Sequence, residues 1–134
     1  MTEPLWKLSA TELQRRYRER SLAPRAVVDA VLARIDAVDG RLGAVVARRD
    51  DAVRAEADAA TRRFAEGRPL SALDGIPLTL KDSLFSADGA TTCGTAALRD
   101  FHAGHDELAW AARVEGMLKF LYPPTHENLQ EPRR

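Results

Sequence analysis

Lysine is nearly missing from this 134-residue chain: of its 20 basic residues, only Lys7, Lys81 and Lys119 are not arginine. Arginine does not deprotonate in proteins, so it cannot stand in for a lysine that acts as a neutral amine base. Cysteine is scarcer still. A single residue, Cys93, excludes an internal disulfide framework and a cysteine-rich zinc site. Net charge is lacking as well, because 20 acidic residues balance the 20 basic ones. With both signs interspersed, there is no basic surplus of the kind that nucleic acid or an anionic membrane selects. No apolar run approaches the roughly 20 residues that span a bilayer. The first seven residues lack a basic segment followed by an apolar one, so no secretory signal is expected and the cytoplasm is the simplest compartment.

What is present supports one packed domain: 45% of residues are hydrophobic and 30% are charged, in a length that leaves little room for two domains. Ser9-Ala10-Thr11-Glu12 has capping-box spacing, which predicts a helix over residues 10–20 with Glu12 reaching back to Ser9. Ser21 is expected to start a second helix with Pro24 in its first turn. There Val28, Val31, Leu32, Ile35 and Val38 form one stripe that Gly40 should stop. Residues 42–47 read as a short strand or a helix-linking turn. Val53, Ala57, Ala60 and Phe64 share a face of a third helix over residues 50–66, with Asp50 and Asp51 at its start and Gly67 past its end. A further helix is expected over residues 106–116 and a short strand over residues 118–122.

Ile76, Leu78 and Leu80 alternate with Pro77, Thr79 and Lys81, the period of a strand. Pro77 lacks a ladder donor and belongs near the strand's beginning or on an edge. Residues 87–95 are small and aperiodic and read as a loop. Lys81 at the strand end is either a solvated amine paired with Asp82 or a chemical group. Ser83 is better read as a turn residue than as a nucleophile. Cys93 has no neighbour that would activate it and is expected to be a small buried residue. His102, His105 and Asp106 lack a ligand-like spacing, and His126-Glu127 would need a histidine where the chain has Gln130, so no metal site is expected. The pairs Arg15-Arg16 and Arg48-Arg49 read as solvated faces balanced by nearby acids. Trp6 and Trp110 read as packing residues.

The run Leu73-Asp74-Gly75-Ile76-Pro77-Leu78, continuing into Lys81-Asp82, resembles the Gly-Ile-Pro…Lys-Asp segment of the amidase signature family. Thr91-Thr92-Cys93-Gly94-Thr95 is similar to the Thr-Thr-x-Gly-Ser/Thr loop that follows it there. Leu8-Ser9-Ala10, Ser21, Arg34-Ile35-Asp36 and His105-Asp106-Glu107-Leu108-Ala109 resemble the family's flanking helices. The likeness covers residues 5–116. It implies hydrolysis of amide C–N bonds through a Ser–cis-Ser–Lys triad without a cofactor, with Lys81 as the general base and a small-molecule amide as substrate. A lysine base must be uncharged near neutrality, a state that burial favours. Burial at a strand end beneath a closed loop would supply that state for Lys81.

The chain departs from that pattern downstream. It has no Gly-Ser-Ser-Gly-Gly segment to supply the two serines. It reads Met117-Leu118-Lys119-Phe120 where the family has a strand ending in Gly-Lys-Thr-Asn, so Lys119 inherits no role. The resulting expectation is a truncated α/β fragment: N-terminal helices plus the first strand or strands of a mixed sheet. Residues 1–116 would be the amidase part and residues 117–134 a divergent tail. Such a fragment is expected to be inactive alone. The alternative is a non-catalytic helical binding module, a homo-oligomer, or a piece that complements a separate amidase fragment.

Overall fold

The computed structural model describes residues 3–106 and 118–120. Three helices build the core: α1 (Ala10–Arg18), α2 (Pro24–Leu42) and α3 (Asp50–Ala65). A single 3-10 turn, Leu5–Lys7, precedes them and packs on α2. Strand β1 (Pro77–Thr79) pairs in parallel with β2 (Leu118–Phe120), with Leu78 opposite Lys119, and β2 lies against α3. The fold class is thus the expected α/β arrangement of N-terminal helices and first strands.

Helix α1 starts where its sequence indicates. Ser9 Oγ accepts the Glu12 N–H at 3.2 Å, satisfying one of the orphan donors of the first turn. The reciprocal half of the expected capping box is not formed. Glu12 instead takes hydrogen bonds from Arg15 (2.7 and 2.9 Å) and Arg16 (2.6 Å), because two guanidinium groups on the next turn outcompete a single backbone N–H.

The other helix ends correct two expectations. Ser21 does not open α2; its N–H returns to the Arg16 carbonyl at 3.0 Å and closes α1, while Arg20 takes a left-handed φ of 56°. Helix α2 begins at Pro24, where a missing N–H is harmless, and it runs through Gly40 to Leu42. A mid-helix glycine costs only about 1 kcal/mol. The stop falls at Gly43, whose φ of 58° lets its N–H reach the Asp39 carbonyl at 2.7 Å. Residues 43–49 are an irregular link between α2 and α3, the second of the two alternatives read for residues 42–47, and not a strand. Helix α3 ends as expected, with Gly67 left-handed and the Arg68 N–H on the Arg63 carbonyl at 2.8 Å.

Two contiguous clusters form the core. Val28 and Leu32 of α2 meet Val53 and Ala57 of α3. Leu13 and Tyr17 of α1 meet Val27, Phe64 and Ile76, with the Tyr17 and Phe64 rings tilted at a 5.4 Å separation. Ile76 carries the residue before β1 into this second cluster. That anchors the strand directly on the helices.

Candidate active site

The approach to β1 is fixed at a buried corner. Arg63 donates from Nε and Nη2 to the two carboxylate oxygens of Asp74, at 2.8 and 2.6 Å. Asp74 is wholly buried, and its carboxylate also accepts the Leu70 N–H at 2.9 Å. The paired carboxylate holds the Arg63 guanidinium above the ordinary arginine range. Gln14 donates to the Asp74 carbonyl at 2.6 Å, and the Tyr17 hydroxyl donates to the Gly75 carbonyl at 3.3 Å. Burial pushes the Tyr17 phenol upward. Gly75 itself has a φ of 76°, and a Cβ there would lie 2.9 Å from Pro24 Cγ. Only glycine satisfies both the left-handed backbone and that close approach.

From this corner the chain runs out along Pro77–Thr79 and leaves the strand before Leu80. The observed strand is shorter than the alternating pattern of residues 76–81, and Pro77 is its first residue, as its missing donor requires. Lys81 then sits just past the strand end. It is exposed, as in the solvated reading of this residue, and not in the buried setting that would favour a neutral amine. It lines a small cavity of about 20 Å³ together with Val46, Leu80, Asp82, Leu84, Ser86, Gly89 and Ala90. That space holds little more than one water. Two larger clefts lie away from it: one of about 600 Å³ between α1 and residues 72–73, and an apolar one of about 340 Å³ along β1.

Asp82 turns toward the loop at residues 91–94. Its carboxylate accepts the Thr92 N–H at 2.8 Å, the Thr92 hydroxyl, and the Gly94 N–H at 3.3 Å. Its carbonyl accepts the Cys93 N–H at 3.0 Å. Thr91 ties the same loop further along, with its hydroxyl on the Leu84 carbonyl at 3.2 Å and its N–H on the Phe101 carbonyl at 3.0 Å. The Lys-Asp pair and the Thr-Thr-x-Gly loop, ten residues apart in sequence, are therefore one structural unit. Charge spacing alone gave no sign of this; the signal was an acid beside a strand end and a threonine-glycine loop within reach.

The remaining singled-out residues fall into place around this unit. Ser83 lies in the turn after Lys81. Cys93 is exposed, not buried. Its left-handed φ of 50° makes it a corner residue whose N–H points inward to Asp82. His105 rests on the Ala103 carbonyl at 2.8 Å and stands edge-on to Phe85. Asp106 accepts the Ala87 N–H at 2.9 Å and the Ser86 hydroxyl at 3.3 Å. Beyond Asp106, the helix expected over residues 106–116, with Trp110, lies outside the described residues, as does the tail beyond residue 120. The arginine pairs are balanced by acids: Arg15 with Glu12 and Glu19, Arg48 with Asp36 and Asp50, Arg49 with Glu56. Trp6 is partly exposed and lies under the Arg34 guanidinium, 4.6 Å from the ring centre. No described helix is long and apolar enough to cross a membrane.

A helical scaffold that delivers a lysine-aspartate strand end and a latched threonine loop defines the N-terminal part of an amidase. The family model for Amidase matches residues 26–112, and this chain belongs to that family. It is similar to the A subunit of the glutamyl-tRNA(Gln) amidotransferase of Corynebacterium diphtheriae, 39% identical over 103 residues, covering 76% of this chain and 21% of that protein. The same protein from Geobacter sulfurreducens is 36% identical over 102 residues, again covering 76% and 21%. Among solved structures the chain is similar to the native peptide amidase from Stenotrophomonas maltophilia, with a TM-score of 0.77 and 33% identity over 87% of this chain and 24% of that one. A bacterial aryl acylamidase of the amidase signature family gives a TM-score of 0.77 at 29% identity, over 88% and 25%. The chain thus spans about a fifth to a quarter of the proteins it matches.

Proposed function

We propose that this chain supplies the lysine-bearing portion of an amidase that hydrolyses amide C–N bonds, with Lys81 as its general base. The observation that carries the reading is Lys81-Asp82 at the end of β1, within the span matched by the family. In that reaction a serine hydroxyl gives its proton through a bridging serine to the Lys81 amine. The serine oxygen then attacks the amide carbonyl, the C–N bond breaks as the amine takes up a proton, and water releases the acyl group. Neither serine is among the 134 residues in the required Gly-Ser-Ser-Gly-Gly setting. The cavity beside Lys81 is also too small for an amide substrate. Alone, the chain is therefore inactive; residues 117–134 are a divergent tail, and the amide substrate is a small molecule.

The test is reconstitution. The chain is mixed with the serine-bearing remainder of an amidase relative from which the matching first quarter has been removed. Recovery of amide hydrolysis, abolished by Lys81→Ala, supports the reading. Serine-directed fluorophosphonate labelling of the chain alone, lost in Lys81→Ala, would overturn the claim of inactivity. A second reading, a helical binding module, is favoured by the apolar groove that Leu5, Trp6, Leu8, Val31, Ile76 and Leu78 form along β1. A complex without activity in the same mixture would select it; neither complex nor activity would remove both.

A further inference from the structure

The unit joining Asp82 to the threonine loop does more than end a strand. Lys81 is exposed and the strand stops at Thr79, so the strand ladder does not hold its backbone. The residues just after it are nevertheless held at several points. The Lys81 carbonyl accepts the Leu84 N–H at 3.0 Å, and the Leu84 carbonyl in turn accepts the Thr91 hydroxyl. Asp82 receives Thr92 and Gly94 on its carboxylate and Cys93 on its carbonyl. Two consecutive left-handed residues, Cys93 at φ 50° and Gly94 at φ 70°, turn the loop's N–H groups inward, the arrangement that favours a negative charge. The Asp82 carboxylate is that charge, built into the chain.

Resting on the reading of Lys81 as the base, we propose that Asp82 is a positioning residue: its carboxylate latches residues 91–94 over the strand end and so sets how the Lys81 amine is presented. The alternative role for Asp82, a counter-ion to Lys81, fits less well, because its carboxylate is already taken up by three donors of the loop. An asparagine at this position keeps the shape but replaces one acceptor oxygen with a donor. It cannot accept from Thr92 and Gly94 as a carboxylate does. The loop would then open from the end nearest Lys81.

The scarcity of lysine makes this measurable on the whole chain without any catalysis. Lys7, exposed beside Trp6 and far from the latch in sequence, serves as the internal reference for amine acetylation read by peptide mass spectrometry. In Asp82→Asn, amide exchange at Thr92, Cys93 and Gly94 is expected to rise about tenfold, the effect of losing one charge-assisted hydrogen bond. The acetylation rate of Lys81 relative to Lys7 is expected to rise roughly threefold as the loop lifts off residues 81–84. Asp82→Glu should restore part of the protection, and Thr92→Val, which removes only the hydroxyl donor, should give a smaller change of the same sign. Should Asp82→Asn fail to fold, Thr92→Val carries the test. Faster loop exchange with an unchanged Lys81 to Lys7 ratio would make the latch merely structural and overturn the proposal, as would unchanged loop exchange. Because acetylation involves no serine, a failed reconstitution of amidase activity and a failed latch are read separately.

Discussion

Arg63 grips both carboxylate oxygens of Asp74, a residue with no exposed surface, from a helix that ends only two residues after it. This pair fastens the end of α3 to the entry of β1, and with Gln14 on the Asp74 carbonyl it draws α1 to the same point. Removing one member of a buried pair leaves the other charge uncompensated, which is far costlier than the pair's net contribution. Arg63→Ala is therefore expected to destabilise by about 3 kcal/mol, near the low end for buried pairs because Arg63 is partly exposed. Arg63→Lys should recover only part of this, since a point charge cannot make the two-pronged contact. Urea unfolding followed by circular dichroism reads both values; a loss below about 1 kcal/mol for Arg63→Ala would show that the corner is held by packing alone.

Gly75 and Gly43 both have left-handed backbones, at φ 76° and 58°. They differ in what surrounds them: Gly75 faces Pro24 at 2.9 Å, while nothing lies within 4 Å of a Cβ at Gly43. Gly43→Ala should cost only the backbone strain, about 1 kcal/mol. Gly75→Ala adds the overlap with Pro24, for a total of about 3 kcal/mol. Equal losses in parallel denaturant titrations would contradict the close approach.

The Arg15 and Arg16 hydrogen bonds hold the Glu12 carboxyl at about 2, down from 4.5. A carboxyl whose value is lower when folded stabilises the fold above the unfolded value, and that contribution is lost as pH falls. The window therefore runs from about 4.5 down to about 2. Asp29, lowered by Arg54 and then by Arg25, acts with the same sign. Thermal melts between these pH values should show a falling midpoint in the parent chain and a shallower fall in Glu12→Gln.

At the alkaline end the sign reverses. Burial raises the Tyr17 phenol above its ordinary range, so the unfolded chain loses this proton first. The contribution is complete below about pH 10 and declines as pH rises further. Tyr17→Phe should flatten this alkaline decline, while lowering neutral-pH stability by about 0.5 kcal/mol through loss of the long bond to the Gly75 carbonyl. An unchanged alkaline limb would place the sensitivity elsewhere.

Much of this architecture was legible in local pattern. The stripe from Val28 to Ile35 and the face from Val53 to Phe64 gave α2 and α3, because burial repeats with the helical period. Helix ends were harder to read, since an interior glycine is tolerated. Gly40 and Gly43 look alike in sequence, and only the chain's path decides which one turns left-handed. At the strand, alternation overran the observed end by two residues: Leu80 and Lys81 keep the period, yet β1 ends at Thr79. Lys81 was singled out through its neighbours in the motif. Its exposure was legible only as one of two alternatives, because a residue just past a strand end takes its burial from elements distant in the chain. The ties of Asp74 to Arg63 and of Asp82 to Thr92 span eleven and ten positions, beyond any local periodicity.

The pairing of Pro77 with Leu118 has a consequence for how the chain acquires its shape. The helices close over short spans and can form early, whereas β1 and β2 must meet across about forty residues, for which loop closure is a substantial entropic cost. Only three residues on each strand repay it. The strand pair is thus expected to form after the helices and to open before them, so the segment that leads from β1 to Lys81 hangs on a joint that closes across a long span of chain.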